Sequence, residues 1–520
     1  MTETATFQSD VGVAPPHRAG APGSPTSIGS NTAQGGLSLS LLRVRSYQAQ
    51  AATRLETFLD RRRKLTLLHR VLVERADELA QQAASVRGCT VGEALATEVM
   101  PLLDAARFLA RRAHRILGPR RPGATDRPAW LTGVDCEIQR QPLGLILIIS
   151  PGNYPLFLAG VQLIQALAAG NAVWVKPAPG GTNVLEPLRD AVVQAGYPCG
   201  IIQLLPESPD AAQAAIGTGV DKVIFTGSAA TGRKILGSLA PQLTPAVLEL
   251  SGSDAVFIRG DADLLVAAQA VRFGLSLNRG ATCIAPRRIF VEGPLLGPFC
   301  RQLTRELQRS GPIRISNEAA ARWLPLVREA LQDGAFIIAG ALHPDHVKAP
   351  LVLGGVAPRM RLMQDDTFAP LAGVVGVAGD DEAISASEQC PFALGASVFG
   401  KDIAAARRLA ARIRAGSVVL NDLIAPTADP RLPFGGLGAS GFGVTRGPEG
   451  LLEMTAPKVV ITNRSRWRPH YRPFRESDTP LFQSLLQLGH GRSLFRRLGA
   501  LARVVFHFRK PDSSPTTSSK

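Results

Sequence analysis

The chain has 520 residues, 45% of them apolar and 19% charged, enough to build the cores of at least two packed domains. Its formal charge of +16 does not point to nucleic acid: residues 464–520 hold twelve Lys or Arg against Glu476, Asp478 and Asp512, so +9 of it lies there. The six cysteines (Cys89, Cys136, Cys199, Cys283, Cys300, Cys390) form no C-x-x-C pair, and no His cluster has metal-ligand spacing, so neither a disulfide framework nor a metal site is expected.

In chain order, residues 1–36 are rich in Ala, Gly, Pro, Ser and Thr, too little apolar surface to offset ordering entropy, and read as a disordered tail. They lack the basic start and unbroken apolar run of a secretory signal, so a cytoplasmic protein is expected. From Leu37 to Leu117 apolar residues recur at helical spacing, as in Leu65, Leu68, Val71 and Leu72. Short apolar runs follow at Leu143–Ile149, Ala172–Val175 and Lys222–Phe225, each succeeded by a helical pattern. That alternation predicts a parallel sheet covered on both faces, an α/β fold. The apolar stretch from Pro142 to Val175 is broken by Ser150, Pro151, Gly152, Asn153 and Pro155, leaving no piece of the ~20 residues that a membrane span needs. After Glu249 a second series of strands begins, at Arg287–Val291, Phe336–Ala339, Leu371–Val377 and Ser417–Leu420, so a second domain is expected. Near the C-terminus Leu494, Leu498, Leu501, Val505 and Phe508 share one helical stripe and Arg492, Arg496 and Arg503 lie opposite. Such a helix suits an anionic membrane surface through residues 480–510, or docks its stripe onto the rest of the chain.

The motifs gain meaning from their order. Ser-Pro-Gly-Asn-Tyr-Pro (150–155), Gly-Asn-Ala-Val-Trp-Val-Lys-Pro (170–177), Phe-Thr-Gly-Ser-Ala-Ala-Thr-Gly (225–232), Leu-Glu-Leu-Ser-Gly (248–252), Gly-Ala-Thr-Cys (280–283), Asp-Thr-Phe-Ala-Pro (366–370) and Pro-Phe-Gly-Gly-Leu-Gly-Ala-Ser-Gly (433–441) follow one another. Over roughly Leu37 to Asn463 the chain resembles the aldehyde dehydrogenase superfamily, and the Asn-Tyr-Pro and Leu-Thr-Pro-Ala-Val-Leu-Glu-Leu wording leans toward its class 3, fatty-aldehyde branch.

The resemblance implies an NAD(P)-dependent oxidation of an aldehyde to a carboxylic acid through a covalent thioester. Cys283 would be the nucleophile, since a thiolate adds readily to a carbonyl where its surroundings favour ionisation. Asn153 and the Cys283 backbone N–H would receive the alkoxide, and Glu249 would activate the hydrolytic water. Gly227 and Ser228, ahead of a helix, would meet the coenzyme pyrophosphate. Lys176 would hold the adenine ribose and Asp366, with Phe368 beside it, the nicotinamide ribose. The coenzyme is NAD or NADP, and no metal is implied.

The chain departs from the family pattern at four places. Ala281 stands for a Gln, Ser251-Gly252-Ser253 for Gly-Gly-Lys, and Pro179 for a Glu that would bond the ribose 2′-hydroxyl and repel a 2′-phosphate, so that NADP is no longer excluded. The segment from Gln302 to Glu318 is also shortened. The implied architecture is a Rossmann-type cofactor domain at 37–248, a catalytic domain at 249–456, and a bridging unit of 134–144 with 457–463, followed by a basic extension at 464–520. A homodimer or tetramer is expected. Two alternatives stay open: a CoA-acylating dehydrogenase, which Glu249 weighs against, and a catalytically impaired, membrane-associated homologue, for which Ala281 and Ser253 speak.

Overall fold

The computed structural model describes residues 38–509 except 129–130, 132, 310–312, 317–319, 343–345, 465–467, 469–470 and 472. The tail expected at residues 1–36 lies outside them. The described chain opens on five helices, α1 (Leu39–Arg54), α2 (Phe58–Glu74), α3 (Ala76–Arg87), α4 (Val91–Ala94) and α5 (Met100–Ile116). Thr57 starts α2 with a reciprocal capping box to Asp60, and the periodic Leu65, Leu68, Val71 and Leu72 form its buried face.

Strand β1 (Val134–Pro142) leads into a six-stranded sheet built from β2 (Leu145–Ile149), β3 (Ala172–Lys176), β4 (Ile202–Leu204), β5 (Lys222–Gly227), β6 (Ala246–Leu250) and the short β17 (Gly441–Phe442). Its order is β4-β3-β2-β5-β6-β17, parallel except for β17. All five residues of β2 and of β3 are buried, the burial expected of strands covered on both faces. Helices α6 (Phe157–Ala169), α7 (Thr182–Gln194), α8 (Pro209–Thr218) and α9 (Ala229–Leu239) connect them. The strand order reverses between β2 and β5, and at such a switch point the loops leaving the strands part to make a crevice. Asn153 follows β2 and Ser228 follows β5, so both stand at that crevice.

A second sheet begins at β7 (Asp254–Ile258), four residues after Leu250 ends β6, so Glu249 itself belongs to the first sheet. It contains β8 (Pro286–Glu292), β9 (Ile313–Ser316), β10 (Phe336–Leu342), β11 (His346–Gly354), β12 (Leu371–Val377), β14 (Gly395–Phe399) and β15 (Ser417–Leu420), ordered β10-β11-β12-β8-β7-β14-β15 with β9 on β11. Helices α10 (Leu264–Ser276) and α11 (Gly293–Arg309) pack on it through Val271, Leu275, Phe299 and Leu303. The small pair β13 (Phe392–Ala393) and β16 (Leu437–Gly438) lies apart from it. The fold is α/β, as the alternation of elements predicts.

Outside both sheets, β1 pairs antiparallel with β18 (Thr455–Asn463) from Val134↔Asn463 to Pro142↔Thr455. The C-terminal helices Thr479–His490 and Leu494–Arg509 pack on each other. Ala500 (0% exposed) and Val504 are buried, whereas Leu494 (70%), Leu498 (56%), Leu501 and Val505 are exposed. Leu494, Leu498, Leu501 and Val505 of the expected apolar stripe therefore face outward rather than onto the rest of the chain, the smaller Ala500 face being the one that packs; the side chain of Phe508 lies outside the described residues. Among the described residues no helix is long and apolar enough to cross a membrane.

Candidate active site

Cys283 lies on the segment between α10 and β8. The three residues Asn278, Arg279 and Gly280 carry φ of 49°, 54° and 73° in succession, and each non-glycine residue held in that region costs roughly 1–3 kcal/mol. Gly280 is required: a Cβ there would lie 2.4 Å from the backbone nitrogen of Pro370. The strain is held by side chains on backbone. Asn278 Nδ2 donates to the carbonyls of Asn153 (2.9 Å) and Ala281 (3.1 Å), and Arg87 Nε donates to Asn278 Oδ1 at 3.3 Å. The buried Arg287 donates to the carbonyls of Gly280 and Ala369, and Arg279 to that of Gly88.

The Cys283 thiol donates to Glu249 Oε1 at 3.8 Å. Glu249 is 2% exposed, and its other oxygen accepts from Thr226 Oγ1 at 3.4 Å, which in turn accepts from Gln162 Nε2 at 3.2 Å. Burial pushes the Cys283 thiol well above the ordinary thiol range, and the Glu249 and Asp254 carboxylates add to it. Burial also raises Glu249, against the pull of the Arg446 guanidinium. At rest the pair therefore keeps the proton on sulfur. A thiolate at Cys283 therefore needs an acceptor for that proton, and Glu249 Oε1 is the carboxylate oxygen the thiol faces.

Asn153 stands on the loop between β2 and α6. Its Nδ2 donates to the carbonyl of Ala281 at 3.2 Å, two residues before Cys283, so the two loops are stitched in both directions. Beneath it the Tyr154 hydroxyl meets Thr282 Oγ1 at 2.7 Å. Buried Glu98 accepts the N–H groups of Leu156 and Phe157, at 2.8 and 3.0 Å, at the start of α6. The departure at Ala281 takes nothing from this arrangement, because its backbone carbonyl is what anchors Asn153. At Ser253 the hydroxyl is buried without a hydrogen-bond partner.

The residues expected to hold a coenzyme fall into two groups. Gly227 ends β5, and Ser228 caps α9, its hydroxyl accepting from Thr231 N at 3.3 Å. The first-turn amides of a helix lack acceptors within it, so this end can receive a pyrophosphate. Ser251 N donates to Gly227 O at 3.1 Å and its hydroxyl to the same carbonyl at 3.5 Å; burial raises the Asp366 carboxyl, against the pull of the nearby Ser251 hydroxyl and Arg287. Asp366 is thereby brought to the same crevice. Phe368, exposed and with φ of 42°, donates its N–H to Asp366 Oδ1 at 3.1 Å. Lys176 lies further out at the end of β3. It is 8% exposed; burial lowers its pKa, against the pull of the Glu207 carboxylate, which makes it a buried cation suited to a polar ligand. These residues fit a dinucleotide lying along the carboxyl edge of the first sheet.

Sequence reasoning missed Arg446, whose guanidinium lies 4.2 Å over the Phe434 ring, against which Cys283 packs. It also missed Asn278 and Arg287. Motif order marks the nucleophile, but a residue acting through the field of a buried charge or through backbone carbonyls leaves no spacing to read.

A family model described as the aldehyde dehydrogenase family matches residues 44–460. The chain is 31% identical over 454 residues to a 4,4'-diapolycopene aldehyde oxidase of Methylomonas sp, covering 85% of each chain. It is 29% identical over 408 residues to a probable coniferyl aldehyde dehydrogenase of Pseudomonas aeruginosa, covering 76% of this chain and 83% of that one. Among solved structures, betaine aldehyde dehydrogenase of Staphylococcus aureus in complex with NAD+ superposes with a TM-score of 0.76 at 25% identity, covering 84% of this chain and 89% of that one. The NADP-dependent glyceraldehyde-3-phosphate dehydrogenase of Bacillus halodurans complexed with NADP gives 0.76 at 28%, over 82% and 91%.

Proposed function

Because this chain belongs to the aldehyde dehydrogenase family, and so oxidises an aldehyde to a carboxylic acid with NAD(P)+, we propose that Cys283, Glu249 and Asn153 carry the reaction. Lys176, Gly227, Ser228, Asp366 and Phe368 hold the coenzyme. The observation that carries this reading is the Cys283 thiol facing Glu249 Oε1 at 3.8 Å, with Asn153 tied to the nucleophile's own loop.

In the first half-reaction Glu249 takes the thiol proton and Cys283 Sγ bonds to the aldehyde carbon, the carbonyl pair moving onto oxygen. Asn153 Nδ2 and the Cys283 N–H receive that alkoxide of the thiohemiacetal. The coenzyme held by those residues would supply the hydride acceptor. The acyl group then remains on Cys283 as a thioester. Glu249 gives the thiol proton up to solvent and, again a carboxylate, in the second half-reaction draws a proton from water, whose oxygen bonds to the acyl carbon. The carbon–sulfur bond breaks, and the acid leaves.

The test offers purified protein aldehydes of several chain lengths with NAD+ or NADP+, with and without CoA. Free acid released without CoA is expected. Acyl-CoA formed only when CoA is present would sink the hydrolytic reading in favour of the acylating one. No turnover with any pair, and Cys283→Ala no different from the wild type, would leave an inactive homologue.

A long aliphatic or aromatic aldehyde is the substrate class we favour. The class 3 wording around Asn153 supports it, as does likeness to relatives named for diapolycopene aldehyde and coniferyl aldehyde. The same reading takes helices Thr479–His490 and Leu494–Arg509 as a peripheral membrane contact on the cytoplasmic side. Their exposed Phe482, Leu486, Leu494, Phe495 and Leu498 stand beside Arg492, Arg496, Arg497 and Arg503, with no acid from 479 to 509. Failure of anionic liposomes to retain the full chain at low salt would remove it. Exposed Val459, Val460 and Ile461 on β18 support a homodimer or tetramer formed through the bridging pair, to be read by light scattering.

A further inference from the structure

The outer end of the crevice contains a carboxylate that the sequence motifs do not mark. Glu207 lies three residues beyond β4, the strand next to β3, whose last residue is Lys176. Its side chain crosses to the segment after β3. Oε2 accepts the N–H of Gly180 at 2.8 Å and Oε1 that of Thr182 at 2.9 Å. Helix α7 has no capping side chain at its own N-cap, Gly181, so Glu207 supplies the anion that this helix start attracts. The hydrogen bonds from Thr182, then that from Gly180, hold its carboxyl below the ordinary range, and Lys176 adds to the effect, so it is ionised at neutral pH.

The nearby residue 179 is proline, with neither an acid to bond a ribose 2′-hydroxyl nor a charge to turn away a phosphate. By itself that change admits NADP+. The buried Lys176 ammonium with the Gly180 and Thr182 N–H groups would otherwise make a place for a 2′-phosphate, but an internal carboxylate already takes both N–H groups.

We propose that Glu207, in place of residue 179, selects the coenzyme: its carboxylate accepts from the ribose 2′-hydroxyl of NAD+ and repels the 2′-phosphate of NADP+. The proposal rests on the reading of Lys176 as the adenine-ribose ligand. An acid at the carboxyl end of a strand beside the adenosine site is the general means by which parallel α/β sheets recognise that hydroxyl. Here the acid comes from β4 rather than from the Lys176 segment. Each carboxylate oxygen keeps a lone pair after accepting one N–H, so capping α7 and meeting the ribose are compatible. A 2′-phosphate would instead bring like charge against like.

The experiment measures dissociation constants of NAD+ and NADP+ by calorimetry on the full chain, for the wild type and Glu207→Gln, with kcat/KM for both coenzymes alongside. The wild type is expected to bind NAD+ at least ~10-fold more tightly. Glu207→Gln keeps an acceptor for one N–H but loses the charge, and is expected to shift the ratio of the two constants toward NADP+ by ~10- to 100-fold. A wild type that prefers NADP+, or treats the two alike, overturns the proposal without any variant. Equal weakening of both coenzymes in Glu207→Gln also overturns it and leaves Glu207 as a cap of α7 only. If the wild type binds neither coenzyme, the reading of Lys176 fails and the proposal with it; an unchanged ratio beside normal NAD+ turnover defeats the proposal alone.

Discussion

The Cys283 thiol and the Glu249 carboxylate face each other at 3.8 Å inside a site that raises the pKa of both. A raised Glu249 is protonated over a wider acid range than an ordinary carboxylic acid, and in that form it can take a proton from neither thiol nor water. The acid limb of kcat should therefore lie above the ordinary carboxylate range, with the rate rising as pH rises through it. Glu249→Gln should lower kcat by about 10²- to 10⁴-fold and slow alkylation of Cys283 by iodoacetamide at neutral pH. Unchanged alkylation would mean that another group takes the thiol proton.

Asn153 donates to the Ala281 carbonyl through one amide hydrogen, which leaves a second for the alkoxide of the proposed reaction. Asn153→Ala should lower kcat by about 10²- to 10³-fold, the usual effect of one lost oxyanion donor, with a smaller change in KM. Asn153→Asp should be at least as slow, because a carboxylate repels the alkoxide. A variant that loses only substrate affinity would move Asn153 from the oxyanion to substrate binding.

The parallel strands were legible because burial on both faces demands apolar runs such as Leu145–Ile149, and turn residues such as Ser150-Pro151-Gly152 interrupt them. Asn153, Glu249 and Cys283 were legible by motif order, although they lie on separate elements. What brings them together was not. The left-handed run Asn278–Gly280 is held in part by the carbonyls of Asn153 and Gly88, each more than a hundred positions away, and no local pattern encodes such a partner. Glu207 escaped notice for a similar reason: its partners, Gly180 and Thr182, are backbone groups. The amphipathic stripe at 494–508 was legible as periodicity, but which of its faces is buried depends on the packing of helix Thr479–His490 against it.

Arg446 is buried, lies over the rings of Phe434 (4.2 Å) and Phe157 (5.6 Å), and donates to the Thr427 carbonyl at 2.7 Å, with Nε unpartnered. Its charge favours the ionised forms of both Glu249 and Cys283. Arg446→Met removes that field, so both groups should rise further and the acid limb of kcat should move up by about one pH unit. Arg446→Lys should restore most of the original position. A loss of kcat with the limb unmoved would make Arg446 a packing residue.

Asp254, the first residue of β7, is buried near Cys283 and accepts the Gly395 N–H at 3.1 Å. Burial pushes its carboxyl up to about 7, against the pull of that hydrogen bond and of Arg288 and Arg287. The folded protein thus holds this proton more tightly than the unfolded chain, where the ordinary value is 3.8. The resulting stabilisation is complete below the unfolded value and is lost as pH rises through about 7; at one unit per 1.36 kcal/mol it is at most about 4 kcal/mol. Asp254→Asn keeps the acceptor for Gly395 and has no proton to lose. The wild type should therefore show a lower unfolding midpoint at pH 8 than at pH 5 by a margin that narrows in Asp254→Asn, measured by urea titration at both. Parallel pH dependence in the two proteins would mean that Asp254 is ionised in the folded state, and that Arg288 and Arg287 neutralise it.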